Sequence, residues 1–255
     1  VIDGLGAALT IDADWAGDDA IDHVARMLVD AQVKATWFVT NPGPAVDRLR
    51  LFPDLFELGA HPNFREGSTQ GDSVTEVLAY CMETVPEARC VRMHGLMESA
   101  WIWESILRET PWRIDSTTFL YRYRETMPFA LEWKPGRLVR VPFSWTDDVA
   151  LKRLEVDGGK LSMDGLDLAF GAGARVVAFH PTLVAMNAGS WGKYLAVRGM
   201  TPYLHFPLSI RSEQIGVGDL FRSLLVQLVE TESSVTMSEL VERWEQGAAV
   251  PAVNG

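Results

Sequence analysis

Two cysteines, Cys81 and Cys90, are all that the 255 residues contain. Their spacing matches neither a CxxC motif nor a disulfide framework, so both read as buried thiols in a reducing compartment. Positive charge is also scarce. Lys and Arg number 23 against 34 Asp and Glu, a formal net charge of -11. Such a surface disfavours nonspecific contact with nucleic acid or anionic lipid, although a local pocket can differ in sign and take an anionic substrate. No apolar run approaches the roughly 20 residues that cross a bilayer, which argues against a transmembrane segment. Val1 to Leu9 lacks the basic and apolar regions of a secretory leader, and this leans towards the cytoplasm. Internal repeats and low-complexity stretches are missing too. The remainder is 47% hydrophobic and 22% charged, ordinary globular proportions. The length suits a single domain over residues 1–255, as α/β barrels commonly are.

The dominant pattern is an apolar run that ends in polar residues and leads into helix-like sequence. Gly6 to Ile11 leads into Asp12, and Asp19 to Gln32 then carries Ile21, Val24, Ala25, Leu28 and Val29 at helical spacing. Further strands are expected at Val33 to Thr40, Leu55 to Ala60, Cys90 to His94, Trp112 to Phe119, Leu138 to Phe143 and Arg175 to Phe179. Helices are expected at Ser73 to Thr84, Ala100 to Glu109, Leu161 to Gly171, Gly218 to Thr231 and Met237 to Gln246. Asn41 to Pro44 reads as a turn, Met186 to Leu208 as a long loop bordering the substrate, and Gly247 to Gly255 as a tail. About seven strands separated by helices predict parallel βα units closing into an α/β barrel.

In such barrels chemistry collects at the carboxyl ends of the strands. Three of the five histidines fall there: His61, His94 and His180. So do Asp12 and Asp14, Arg92, and Asp147 with Asp148. Two residues apart on a strand, Asp12 and Asp14 share a face, and two close carboxylates need a cation or a shared proton to relieve them. Either could instead cap the following helix, with Trp15 covering the core. Pro62 biases His61 towards extended geometry. Arg92 and His94 also share a face, and Arg92 fits a structural salt bridge equally well. His180 ends an apolar strand, where burial would lower its pKa and suit it to acid–base work. Asp147 and Asp148 follow Ser144 and Trp145, and Asp148 reads as a solvated turn residue. His23 has no assigned role, and His205 is a candidate substrate contact.

Taken in order, these residues resemble the NodB-homology polysaccharide deacetylases, carbohydrate esterase family 4. Thr10-Ile11-Asp12-Ala13-Asp14 stands where that family has Thr-Phe-Asp-Asp, with Ala13 in place of the second Asp. The resemblance makes Asp12 the base and, by the Asp-x-Asp form, Asp14 a metal ligand. Glu57-Leu58-Gly59-Ala60-His61 is similar to the start of the second motif, whose second histidine falls at Arg65. His94 is then the replacement ligand, with Asn63 the weaker option. Arg92 looks like the arginine that orients the base, Trp145 and Asp147 like the acetyl-pocket residues, and His180 like the catalytic histidine of the last motif. His-Pro-Asn-Phe, Arg-x-His-Gly and Phe-Ser-Trp-Thr-Asp resemble a WbmS-like subgroup linked to O-antigen biosynthesis. The implied fold is a distorted (β/α)7 barrel of NodB-homology type.

The resemblance implies a metal-dependent hydrolase that removes an N-acetyl group from a sugar, in surface polysaccharide biosynthesis. Asp14, His61 and His94 would bind a divalent metal, Zn²⁺ first and Co²⁺, Ni²⁺ or Fe²⁺ as alternatives. Asp12, Arg92 and His180 would be catalytic. Trp145, Asp147, Asn63 and Trp15 would meet the N-acetylated sugar, and Trp191 is a further stacking candidate. Three other readings stay open: a non-catalytic sugar-binding relative, an allantoinase-like amidohydrolase acting on a cyclic amide, and an extracellular wall-modifying enzyme as against a cytoplasmic one acting on a soluble sugar precursor.

Overall fold

The computed structural model describes residues 5–123, 126–158, 161, 173–200 and 215–248. In chain order the elements are β1 (Ala7–Asp12), α1 (Asp18–Ala31), β2 (Ala35–Val39), α2 (Pro44–Leu49), β3 (Phe56–Ala60), α3 (Val74–Thr84), β4 (Cys90–Val91), α4 (Ala100–Glu109), β5 (Ile114–Asp115), β6 (Phe129–Trp133) and β7 (Gly136–Arg140). There follow β8 (Trp145–Thr146), α5 (Asp147–Asp157), β9 (Arg175–Phe179), α6 (Pro181–Ala185), α7 (Trp191–Met200), α8 (Val217–Glu230), β10 (Ser234–Val235) and α9 (Met237–Ala248). A single turn of 3-10 helix covers His94–Leu96.

The sheet order is β6-β7-β5-β4-β3-β2-β1-β9-β8, with β10 beside β1. All pairings are parallel except the β6–β7 hairpin. One extended segment curls the sheet into a distorted (β/α)7 barrel. Val141 N–H donates to the Asp115 carbonyl on one side, and three residues later Ser144 N–H donates to the Val176 carbonyl on the other. The segment from β7 to β8 thus joins the two ends of the curl.

Every residue of β1 and β2 is buried, because both faces of these strands are covered. Alternation sets the layers. Leu9, Ile11, Trp37, Val177 and Phe179 pack outwards with α1, α6 and α8, while Ala8, Phe38, Val141, Phe143, Val176 and Ala178 fill the interior. Met237, Leu240 and Val241 of α9 close its amino-end floor. Local signals agree with these bounds. Ser73 and Glu76 form a capping box at α3, and Ser99 accepts from Ile102 N–H at α4.

All seven expected strand positions contain strand, with Cys90 to His94 reduced to β4 and followed by the 3-10 turn that takes in His94, and with Trp112 to Phe119 reduced to β5. The expected turn at Asn41 to Pro44 runs into α2, with Pro44 at its first position. Met186 to Leu208 is not a loop throughout, because α7 occupies Trp191–Met200. The helix expected over Leu161 to Gly171 lies outside the described residues apart from Leu161, and so does His205. Among the described residues no helix is long and apolar enough to cross a membrane.

Candidate active site

The carboxyl ends of β1, β3, β4, β8 and β9 open onto one cleft of about 300 Å³, at the small end of ligand sites. Its lining includes Asp12, Asp14, His61, His94 and His180.

Asp12 is the last residue of β1 and faces inwards, as Thr10 does. Arg92, fully buried, reaches both. Its Nη1 donates to Asp12 Oδ1 at 2.8 Å and to Thr10 Oγ1 at 2.7 Å, while Nε and Nη2 donate to the Ser116 carbonyl and hydroxyl, each at 2.9 Å. The guanidinium lies between the rings of Phe38 and Phe143, 4.5 and 4.3 Å from their centroids. A charge held this way cannot move without leaving donors unpaired.

Asp14 arrives by a route that strand alternation does not describe. β1 stops at Asp12, and Asp14 and Trp15 both take left-handed backbone, φ 44° and 56°. Consecutive non-glycine residues there are uncommon and cost energy. Local contacts hold the turn. Trp15 N–H donates to Thr40 Oγ1 at 3.0 Å, and the Trp15 ring meets His94 edge-on with centroids 5.0 Å apart. The turn delivers Asp14 Oδ1 to 3.1 Å from His61 Nε2 and 2.9 Å from His94 Nδ1. Burial alone would raise the Asp14 pKa, but the hydrogen bonds to His61 and His94, with the charge of His180, hold the carboxyl well below its usual range.

This donor set fits a divalent cation. One ligand atom from each of Asp14, His61 and His94 lies within 4.8 Å of the others. Carboxylate oxygens and imidazole nitrogens about 2.0–2.2 Å from a shared Zn²⁺ stand roughly 3–3.5 Å apart, and the Asp14–His spacings of 3.1 and 2.9 Å lie at or just below the short end of that range. Three protein ligands leave a position open for chemistry.

His180 follows β9 on the opposite wall. Asp147, fully buried at the start of α5, receives the His180 backbone N–H at 2.9 Å and pairs with Nδ1 at 2.6 Å. That fixes the ring with Nε2 towards the cleft, 3.5 Å from Asp14 Oδ2. The sequence expectation of a lowered pKa is corrected. Burial does pull it down, but Asp147, with Asp14 and Asp148 behind it, outweighs burial and holds the imidazole well above its ordinary value.

Of the four side chains expected against the sugar, Trp145 is 2% exposed and packs outwards on Phe179 at 4.9 Å, so it belongs to the core. Asp147 is occupied by His180. Asn63 is 8% exposed, and its Oδ1 accepts the Arg65 N–H at 3.2 Å, a turn-building role. Trp15 buttresses His94. Trp191 does line the cleft, together with Tyr194 of the same helix, Arg65 and Lys152. Asp148 lies in the first turn of α5, paired with Lys152 at 2.7 Å, rather than in a solvated turn. Sequence reasoning noted Arg65 only as the residue standing at the second motif's second histidine, and it missed Lys152, which no motif marks, and Gln70, a buried residue that ties the His61 loop to Thr40.

The model of the WbmS-like polysaccharide deacetylases matches residues 9–198, most of the chain. The chain belongs to that family. Among solved structures, a Bordetella bronchiseptica protein, WbmS, assigned as a polysaccharide deacetylase of O-antigen biosynthesis, is 30% identical with a TM-score of 0.74, covering 87% of this chain and 90% of that one. The peptidoglycan deacetylase PdaC of Bacillus subtilis is 13% identical with a TM-score of 0.45, covering 97% and 96% of the two chains. A family 4 pseudoenzyme of Bacillus anthracis is 16% identical with a TM-score of 0.45, covering 94% and 66%. No curated protein matches. In this WbmS-like member the Asp-x-Asp turn, His61 and the Arg92-x-His94 pair all fall within the matched span.

Proposed function

We propose that this protein is a metal-dependent hydrolase, one catalytic domain over residues 1–255, that removes an N-acetyl group from a sugar used in a surface polysaccharide of O-antigen type. The observation that carries this reading is the meeting of Asp14, His61 and His94 at one point, in a cleft shared with Asp12 and His180. Those three residues would hold the cation, and their oxygen and nitrogen donors suit Zn²⁺ while admitting Co²⁺, Ni²⁺ or Fe²⁺. A divalent cation there supplies Lewis acidity, polarising the acetamide carbonyl and acidifying the attacking water.

The chain's own groups account for the protons. Asp12 takes one from water as its oxygen bonds to the acetyl carbon. Arg92 keeps the Asp12 carboxylate aimed, because its remaining donors are committed to Thr10 and Ser116. His180, gripped at Nδ1 by Asp147, presents Nε2–H towards the cleft. As the carbon–nitrogen bond breaks, that proton passes to the leaving amine, and acetate and an amino sugar remain. Trp191 and Tyr194 offer an aromatic wall for a sugar face.

Acetate release from N-acetylglucosamine derivatives, with metal analysis of the same samples, tests this reading. Asp12→Asn is expected to keep its metal and lose about 10²- to 10⁴-fold in rate. His61→Ala is expected to lose both metal and activity. Wild-type turnover by Asp12→Asn would remove the base assignment.

A further inference from the structure

One cation in the cleft has no part in the proton transfers. Arg65 lines the cleft, and among the described residues no carboxylate pairs with it. The neighbouring Lys152, by contrast, is paired with Asp148 at 2.7 Å. Arg65 is exposed, and it differs from the other unpaired surface arginines in lining the cleft beside His94 and Gly95.

Its placement is built rather than incidental. The guanidinium lies flat against Gly95, the residue after His94. A Cβ at that position would meet Nη2, Cζ and Nε of Arg65 at 2.5, 2.7 and 2.9 Å. Gly95 also takes φ +61°, which favours glycine. From below, Asn63 Oδ1 accepts the Arg65 N–H at 3.2 Å, and buried Gln70 braces Asn63 through its backbone N–H at 2.6 Å. The same Gln70 holds the carbonyls of Thr40 and His61. Arg65 therefore rides on the loop that carries one proposed ligand and rests on the backbone beside another.

We propose that Arg65 selects the substrate by binding an anionic group, a carboxylate or a phosphate, carried on the acetylated sugar. A planar fork of donors with no carboxylate partner among the described residues suits either group in bidentate contact. The proposal rests on the reading that this cleft takes an N-acetylated sugar, and it names which sugars are preferred.

The test compares N-acetylglucosamine with two anionic relatives, its 6-phosphate and its uronic acid, for wild type, Arg65→Lys and Arg65→Gln. Binding is measured by calorimetry, and acetate release is measured separately. In wild type, at least one anionic sugar is expected to bind about tenfold or more tightly than the neutral one. Arg65→Gln should erase that preference, and Arg65→Lys should keep part of it. Whether the phosphate or the carboxylate shows the effect identifies the group. Equal binding of all three sugars by wild type, or an unchanged preference in Arg65→Gln, would overturn the proposal. If Arg65-dependent binding is found but no sugar releases acetate, the selection stands and the deacetylase reading falls.

Discussion

Replacing Arg92 by Met is the sharpest perturbation of the interior. Arg92 is fully buried, donates to four acceptor atoms, and is sandwiched between two aromatic rings. Met keeps the apolar contacts with Phe38 and Phe143 but leaves the Asp12 carboxylate buried, at 7% exposure, without its cation. Breaking one partner of a buried ion pair costs about 3–5 kcal/mol. For a chain of this size each kcal/mol lowers Tm by roughly 2–4 °C, so the expected fall is about 6–20 °C. Asp12→Asn in the same background separates the pair from the packing. The double variant should be less destabilised than the sum of the singles, with a coupling of about 1–3 kcal/mol. Thermal melts and urea unfolding followed by circular dichroism measure both quantities. An Arg92→Met protein melting within about 2 °C of wild type, or strict additivity in the cycle, would refute a buried pair that aims Asp12.

Asp147→Asn should reduce kcat by about 10²- to 10⁴-fold with metal content unchanged, because His180 loses the carboxylate that charges and orients it. The sign in pH follows from the raised His180 pKa. The acid form is present below that pKa and lost above it, so activity falls as pH rises through it, and in Asp147→Asn this alkaline limb should move to lower pH. The pH–rate profile of kcat checks the direction. Cys81 is buried with its thiol pushed up to about 12, and burial carries Cys90 well above its usual value. Native protein at pH 8 should therefore give almost no reaction with a thiol-specific disulfide reagent, and both cysteines should react after unfolding in guanidinium.

Strands buried on both faces were legible because they are continuous apolar runs, and the polar residue closing each run pointed to the barrel's chemical end. β6 was invisible for the opposite reason: Phe129–Trp133 is a half-exposed hairpin arm with neither alternation nor a sustained apolar run. α7 fell in a stretch where Gly192, Gly199 and scattered polar residues blurred the helical period. At the site, residue type was readable and direction was not. Trp145 looked like a sugar platform, but alternation turned it outwards onto Phe179. Asp14 does share a cleft with Asp12, but a left-handed turn rather than strand period carries it there. The pKa of His180 depends on Asp147, 33 residues earlier in the chain and adjacent only across the β8–β9 pairing. Apolar neighbours in sequence could not supply that partner.

The most direct measurement is an anomalous difference map at the zinc edge from crystals grown with Zn²⁺. The expected result is one peak, about 2.0–2.2 Å from Asp14 Oδ1, His61 Nε2 and His94 Nδ1. A second group, Asp147, Asp148 and His180, could also gather around an ion. A peak there instead, or density at the first position that leaves His94 unliganded, would contradict the metal centre on which the proposed chemistry depends.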